Sequence, residues 1–242
     1  MDVSVRSGRI VGRLRPPGSK YVAQRAIVLA SHRGGTVTNV PENDDVDRLC
    51  DGLRRLGYRV DEGPGERRIG GSPAASDAQL DLGDNATGAR FLMALAALRE
   101  ARTVIDGSPR LRERPMRPLC EALRRLGVRV EGNRLPVALR GPMRGREVFV
   151  ESDGSSPFAS ALILLVDRVP GLRVQVSGRE SLSFVGLTAH VHRTFQDPYP
   201  VEADYGAAAP FAAAAAATDG DLLVEDLAWT SPQPDARVLW IL

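Results

Sequence analysis

Of the 32 basic side chains in this 242-residue chain, one is a lysine, Lys20, and the other 31 are arginines. A codon bias that turns lysine into arginine wherever the chemistry tolerates it makes a lone surviving lysine informative. Arginine stays protonated and presents a planar fork, whereas lysine is a compact point charge whose pKa its neighbours can move toward neutrality, so that it can exchange a proton. Lys20 ends the run Pro16-Pro17-Gly18-Ser19-Lys20, a turn opening into a helix of small residues. Chance retention is the bland reading. An active-site lysine in an anion-binding turn is the sharper one, because a helix N-terminus offers free N–H groups and positive dipole charge. Other reactive side chains suggest less. His190 and His192 have no third ligand in reach, Cys50 and Cys120 lack metal-site spacing, and neither a metal nor a cofactor is expected.

The elements that must hold Lys20 show internal repetition. Leu49-Cys50-Asp51-Gly52-Leu53-Arg54-Arg55-Leu56-Gly57 returns 70 residues later as Leu119-Cys120-Glu121-Ala122-Leu123-Arg124-Arg125-Leu126-Gly127. Leucines at i, i+4 and i+7 predict a short amphipathic helix, and the closing glycine predicts a C-cap feeding a strand. Both cysteines hold the same slot on the apolar face, so they read as core residues. A second element repeats four times: a small or hydroxylated turn, an apolar helix, a break and an alternating strand. Its strands begin near 36, 103, 173 and 222, in steps of 67, 70 and 49, so the last step is about twenty residues short. The pattern predicts an α/β fold of repeated βαβαβ units. Helices such as Phe158 to Val166 and Ala207 to Ala217 are apolar nearly all round and should be buried on every side, with the sheets outside them. Helix N-termini rich in Ser, Thr and Gly then share one face that favours an anion. Residues 13–190 are assigned to a three-repeat domain, and 1–12 with 191–242 to part of an incomplete second domain.

Composition excludes several classes. A hydrophobic share of 43% with 26% charged residues is ordinary for a globular protein that can bury a core. A net charge of +2, with arginines interleaved among 30 acids, argues against a nucleic-acid partner. The N-terminus has no apolar signal region, and the alanine-rich stretch is interrupted by Pro210, so no membrane partner is expected and a reduced, cytoplasmic setting is.

The motifs in order resemble the enolpyruvyl transferases, and among them the 5-enolpyruvylshikimate-3-phosphate (EPSP) synthases. The matching segments are Pro17-Gly18-Ser19-Lys20 with Arg25-Ala26, Asp44-Asp45, Gly83 through Thr87 to Arg90-Phe91-Leu92, and Asp106-Gly107. Arg110-Leu111-Arg112-Glu113-Arg114-Pro115-Met116, Ser155-Ser156, Val201-Glu202-Ala203-Asp204 and Ser231-Pro232-Gln233-Pro234-Asp235 follow. The resemblance spans nearly the whole chain and implies the enolpyruvyl transferase fold. It implies Lys20 as proton donor or acceptor and Asp204 as general base near ring hydroxyls. Arg25 would pair with the carboxylate or phosphate of a shikimate-like ring, Ser155, Ser156 and Ser181 would bind the substrate's phosphate, and Arg110 would contact the carboxylate of phosphoenolpyruvate. Tyr21, Thr87 and Phe184 stand at family substrate-binding positions. Each has a plainer reading: Arg25 as a solvated helix arginine, Ser155 and Ser156 as N-caps, Arg110 as part of a salt-bridged surface loop, and Asp204 as an N-cap.

Departures from the family pattern are also legible. Tyr21 replaces a serine, and the Asn-Ala-Gly-Thr turn reads Asp84-Asn85-Ala86-Thr87. Pro157 replaces the glutamine of Ser-Ser-Gln, and Phe184 a tyrosine. A segment is missing around Thr188 to Tyr199, and the chain stops at Leu242, before the family's Lys-Glu-x-x-Arg, His-Arg and late Lys groups. The sequence reading is therefore a diverged relative acting on a hydroxylated cyclic carboxylate, with or without a phosphate. Its expected chemistry is acid–base elimination, dehydration or isomerisation without phosphoenolpyruvate. The alternatives are an enolpyruvyl transferase completed by a partner chain or by a second copy, and a non-catalytic binding remnant.

Overall fold

The computed structural model describes residues 8–151, 157–177 and 182–241. In chain order the elements are β1 (Val11–Leu14), α1 (Lys20–Arg33), β2 (Gly35–Thr38), α2 (Asp44–Arg55), β3 (Arg59–Gly63), β4 (Glu66–Gly70) and β5 (Ala78–Asp81). There follow α3 (Ala86–Ala96), β6 (Thr103–Asp106), α4 (Pro109–Arg112), α5 (Arg117–Arg125), β7 (Arg129–Glu131), β8 (Val137–Arg140) and β9 (Glu147–Glu151). The remainder is α6 (Pro157–Ile163), β10 (Arg173–Ser177), α7 (Leu182–Thr194), β11 (Tyr199–Pro200), α8 (Tyr205–Ala217), β12 (Asp221–Val224), a 3-10 turn (Pro234–Arg237) and α9 (Val238–Ile241).

The sequence repeat is a structural repeat down to single hydrogen bonds. At the end of α2 the amide of Gly57 donates to Arg54 O (2.9 Å) and that of Tyr58 to Leu53 O (3.0 Å). At the end of α5, Gly127 donates to Arg124 O (2.9 Å) and Val128 to Leu123 O (3.0 Å). These are paired Schellman closures, and both glycines have positive φ, 100° and 86°. Arg54 Nη2 then reaches Val60 O at 3.1 Å and Arg124 Nη2 reaches Val130 O at 3.0 Å, tying each helix to its following strand. Cys50 and Cys120 are fully buried, as their slot predicts. Burial pushes their thiols up to about 12 and about 11, which leaves them un-ionised at neutral pH.

Two four-stranded sheets have the same order, β11-β2-β4-β3 and β5-β6-β8-β7, and the same directions. A third sheet holds β9 and β10, and a fourth β1 and β12, both parallel pairs. The α1, α3 and α6 helices pack inside these sheets, with α2, α5 and α7 wedged between. They are buried because they are apolar almost all round: Val22 to Ser31 of α1, Gly88 to Ala96 of α3 and Phe158 to Leu162 of α6 are all out of solvent.

One expectation needs correction. The helix α8 is not buried on every side: only Tyr205, Ala208 and Ala215 are, and Phe211 is 51% exposed, since α8 packs on little besides β12, α9 and the 3-10 turn among the described residues. The domain boundaries drawn at 12/13 and 190/191 fall inside β1 and inside α7. Strand β1, before α1, pairs with β12, whereas β11, before α8, pairs with β2, so the chain passes between these two sheets near residues 15–18 and 201–204.

Candidate functional site

At that double crossing the two chain passages are stitched together. Gly18 bridges Ala203, Ser19 N donates to Glu202 O (2.7 Å), and Asp204 N donates to Pro17 O (2.8 Å). Only glycine fits at 18, since a Cβ there would overlap Asn39 O. This stitch sets the N-termini of α1 and α8 side by side. Those of α2 and α3 join them through Asn85. Its side chain caps α3 by accepting from Gly88 N (2.7 Å), while its Nδ2 donates to Gln24 Oε1 of α1 (3.0 Å) and to Asp45 O of α2. Helix α7 joins through Phe184, whose ring meets Tyr21 edge-on at 5.3 Å. The shared face of helix N-termini inferred from sequence is present for these five helices.

Lys20 opens α1 at this mouth. Its Nζ lies 2.7 Å from Asp45 Oδ2, with both side chains about a third and a quarter exposed (34% and 25%). Asp45 is presented by Asn43, which caps α2 by accepting from Asp45 N at 3.0 Å. Partial burial lowers the Lys20 pKa, but the hydrogen bond and charge of Asp45, helped by Tyr21 and Asp204, outweigh it and leave the ammonium raised above its ordinary value. The neighbours of Lys20 thus act to raise its pKa rather than to draw it toward neutrality. Its direct partner is Asp45, with Asp204 a longer-range charge.

One turn deeper, Arg25 is 1% exposed and not the solvated helix arginine its spacing allowed. Its Nε donates to Thr188 Oγ1 (2.7 Å) and its Nη1 to Tyr21 O (2.8 Å), between the rings of Phe91 (5.5 Å) and Phe184 (5.8 Å). Thr188 Oγ1 donates onward to Ser160 Oγ at 2.8 Å. No carboxylate pairs with Arg25 among the described residues. Burial alone lowers its pKa from 12.5 to about 10. Arg90 of α3 is a second buried guanidinium: it lies over the Phe158 ring at 4.6 Å, donates to Pro115 O (2.9 Å), keeps its Nε unpartnered, and is also lowered to about 10, mainly by burial.

Asp204 is the N-cap of α8, its Oδ1 accepting from Ala207 N at 3.0 Å. Gln233 and Ser231 both bind the Glu202 carboxylate (3.0 and 2.6 Å), which brings Asp235 near Asp204; burial and the Asp204 charge raise the Asp235 carboxyl. Thr87 lies in the first turn of α3, half-buried. Arg110 is exposed on α4 and has no ion pair among the described residues; the bidentate pair in that run is Arg112 with Asp106 (2.8 and 2.7 Å). Ser155, Ser156 and Ser181 lie outside the described residues. His192 pairs with Asp167 at 3.1 Å on the side of the molecule where α1 ends, and no three metal-binding side chains cluster among the described residues. No helix there is long and apolar enough to cross a membrane. A concavity of about 540 Å³ lies away from this mouth, lined by Arg117, Glu121, Arg125 and Phe149.

Sequence reasoning did not pair Asp45 with Lys20, and gave no site role to Asn85, Thr188 or Arg90, although Asn85 and Arg90 lie in segments that match the family. The Asn43-x-Asp45 cap was a usable signal for the first. An arginine inside an apolar run, as in Gly88 to Ala96, was one for Arg90.

An α/β protein of strand–helix–strand repeats, with five helix N-termini and a buried arginine converging on one mouth, is the class that fold and site define. The family model of EPSP synthase (3-phosphoshikimate 1-carboxyvinyltransferase) matches residues 5–196, and the chain belongs to that family. It is 33% identical over its whole length to the 3-phosphoshikimate 1-carboxyvinyltransferase of Methanothermobacter thermautotrophicus, and 32% identical over 93% of its length to that of Rhizobium etli. It covers 65% and 61% of those proteins. The fold is similar to the EPSP synthase structure from Acinetobacter baumannii, with a TM-score of 0.74 at 22% identity over 93% of this chain and 57% of that one.

Proposed function

We propose that this chain binds a shikimate-like, hydroxylated cyclic carboxylate, phosphorylated or not, at the mouth formed by α1, α2, α3, α7 and α8, and that it serves carboxyvinyl transfer. The observation that carries the reading is Arg25, a fully buried guanidinium with no carboxylate partner among the described residues, one turn below the Lys20–Asp45 pair. Burying a cation without a counter-charge is costly, so an arrangement that keeps it is best explained by an anionic ligand completing the pair. In this reading Lys20 steadies negative charge on a ring oxygen or donates a proton to it, and the edge-on pair Tyr21 and Phe184 bounds the ring. Groups for the second substrate, phosphoenolpyruvate, would come from outside the span matched here, on the same polypeptide, a second copy or a partner. Elimination or isomerisation without phosphoenolpyruvate would use Lys20 as a proton acceptor, and the Asp45 pairing, which favours the ammonium, works against that.

Calorimetric titration with shikimate, shikimate 3-phosphate and phosphoenolpyruvate tests the proposal. Ring-ligand binding that is lost in Lys20→Met, and that strengthens when phosphoenolpyruvate is added, is the expected result. Ring binding indifferent to phosphoenolpyruvate would favour the elimination chemistry. No binding of any of the three would leave a non-catalytic remnant and sink the proposal.

A further inference from the structure

The third sheet lacks something that the first two have. In the first two units, the strand after the buried helix is paired antiparallel by a hairpin strand, β2 by β4 and β6 by β8. Strand β10 holds the same place after α6, yet among the described residues β9 alone pairs with it. Helix α7 ends at Thr194 and β11 begins at Tyr199, so residues 195–198 stand where the other units carry β3–β4 and β7–β8. This is the structural form of the shortened sequence step.

The uncovered edge leaves core residues half in solvent. Val148 and Val150 on β9 are buried to 3% and 1%, and the inward-facing Val37 of β2 and Ile105 of β6 to 0%. Their counterparts on β10, Val174 and Val176, are only half-buried. Arg173 on the same edge is exposed and has no acidic partner among the described residues, because the Glu147 beside it takes the Gln175 amide at 3.1 Å.

We propose that the β10 edge is a docking site for a β-strand from another polypeptide. That strand runs antiparallel to β10, presents apolar residues at alternate positions to Val174 and Val176, and carries a carboxylate on the Arg173 face. An open edge with apolar inward positions is a template for strand addition, in which main-chain hydrogen bonds give affinity and alternate side chains give selectivity. The sibling sheets show the direction such a strand takes, and Arg173, which has no acidic partner among the described residues, supplies the charge preference. A second copy pairing through its own β10 about Gln175 would place Ser177 opposite Arg173 and leave the arginine unpaired, so a distinct strand is the better fit.

The test uses a fluorescent synthetic peptide copying residues 128–140, the hairpin that covers β6, and the same peptide with Arg140→Glu or Arg140→Lys. Leu139 is registered with Thr103 of β6, so with Val137 and Leu139 set against Val176 and Val174 the exposed Arg140 position falls opposite Arg173. Titration of the full chain should give saturable one-to-one binding by anisotropy. The Glu peptide should bind about three-fold or more tighter than the Lys peptide, the order reversing in Arg173→Glu. Amide exchange at Val174 and Val176 should slow on binding in the unaltered chain, which decides the matter even if the variant misfolds. Absence of saturation with unchanged exchange overturns the proposal. So does sedimentation as a dimer with the β10 amides already protected, which would show a second copy on the edge.

Discussion

Replacing Arg25 by methionine should separate stability from binding. The fall of its pKa from 12.5 to about 10 on burial corresponds to on the order of 3 kcal/mol of unfavourable charge burial. Against that stand two hydrogen bonds from a charged donor, to Thr188 Oγ1 and Tyr21 O, together worth about 3 kcal/mol net at the lower end of the range for such bonds. Methionine fills a similar volume between Phe91 and Phe184 and contacts both rings well. Thr188 keeps Ser160 Oγ and Phe184 O, so its hydroxyl is not orphaned. Arg25→Met should therefore leave the unfolding free energy within about 1 kcal/mol of the parent, or raise it. Binding of shikimate 3-phosphate should weaken by about 2–4 kcal/mol, roughly 30- to 1000-fold in Kd. Urea denaturation, reporting both midpoint and m value, and calorimetry on the same preparations measure the two quantities. A variant that loses more than about 2 kcal/mol of stability yet keeps its affinity would refute the reasoning and make Arg25 a structural cation.

Other positions offer independent checks. His32, mainly buried and with both ring nitrogens unpartnered, has its pKa lowered from 6.5 to about 4, first by burial and then by Arg33. The unfolded chain takes up that proton first as pH falls, so stability should decline between pH 6.5 and 4 by about 2–3 kcal/mol, and His32→Phe should flatten the slope in pH-dependent urea melts. Alanine at Gly127, where φ is +86° and the nearest atom to a new Cβ is 3.7 Å away, should cost about 1 kcal/mol. The twin change at Gly57, where φ is +100° and a Cβ would press to 2.7 Å from the Ala74 Cβ, should cost about 2–3 kcal/mol in the same assay. Asn85→Ala removes the α3 cap and frees Gln24 and Asp45 O, and should cost about 2–3 kcal/mol while weakening ring-ligand binding through Asp45.

Much of the architecture was legible from residue patterns. The 70-residue repeat, the Schellman glycines, the buried apolar helices and the core cysteines follow from local periodicity and backbone geometry, which neighbouring residues decide. Family motifs located Lys20, Arg25 and Asp204 on the helices that meet at the mouth. The sequence also carried the clue to the bare β10 edge, as a step about twenty residues short, but nothing local said what that segment would have covered.

Pairing was decided in three dimensions. Whether Lys20 leans on Asp45 or Asp204 depends on where α2 ends up, which Asn85 sets from a third helix. That Arg25 is sealed between Phe91 and Phe184 depends on α3 and α7 closing over α1. That α8 stays half-exposed although it is almost all alanine depends on what packs beside it. Local sequence determined which helices form and where they start. Long-range contacts determined which charges meet there, because the energy of a buried charge depends on every element around it and not on its own neighbours in the chain.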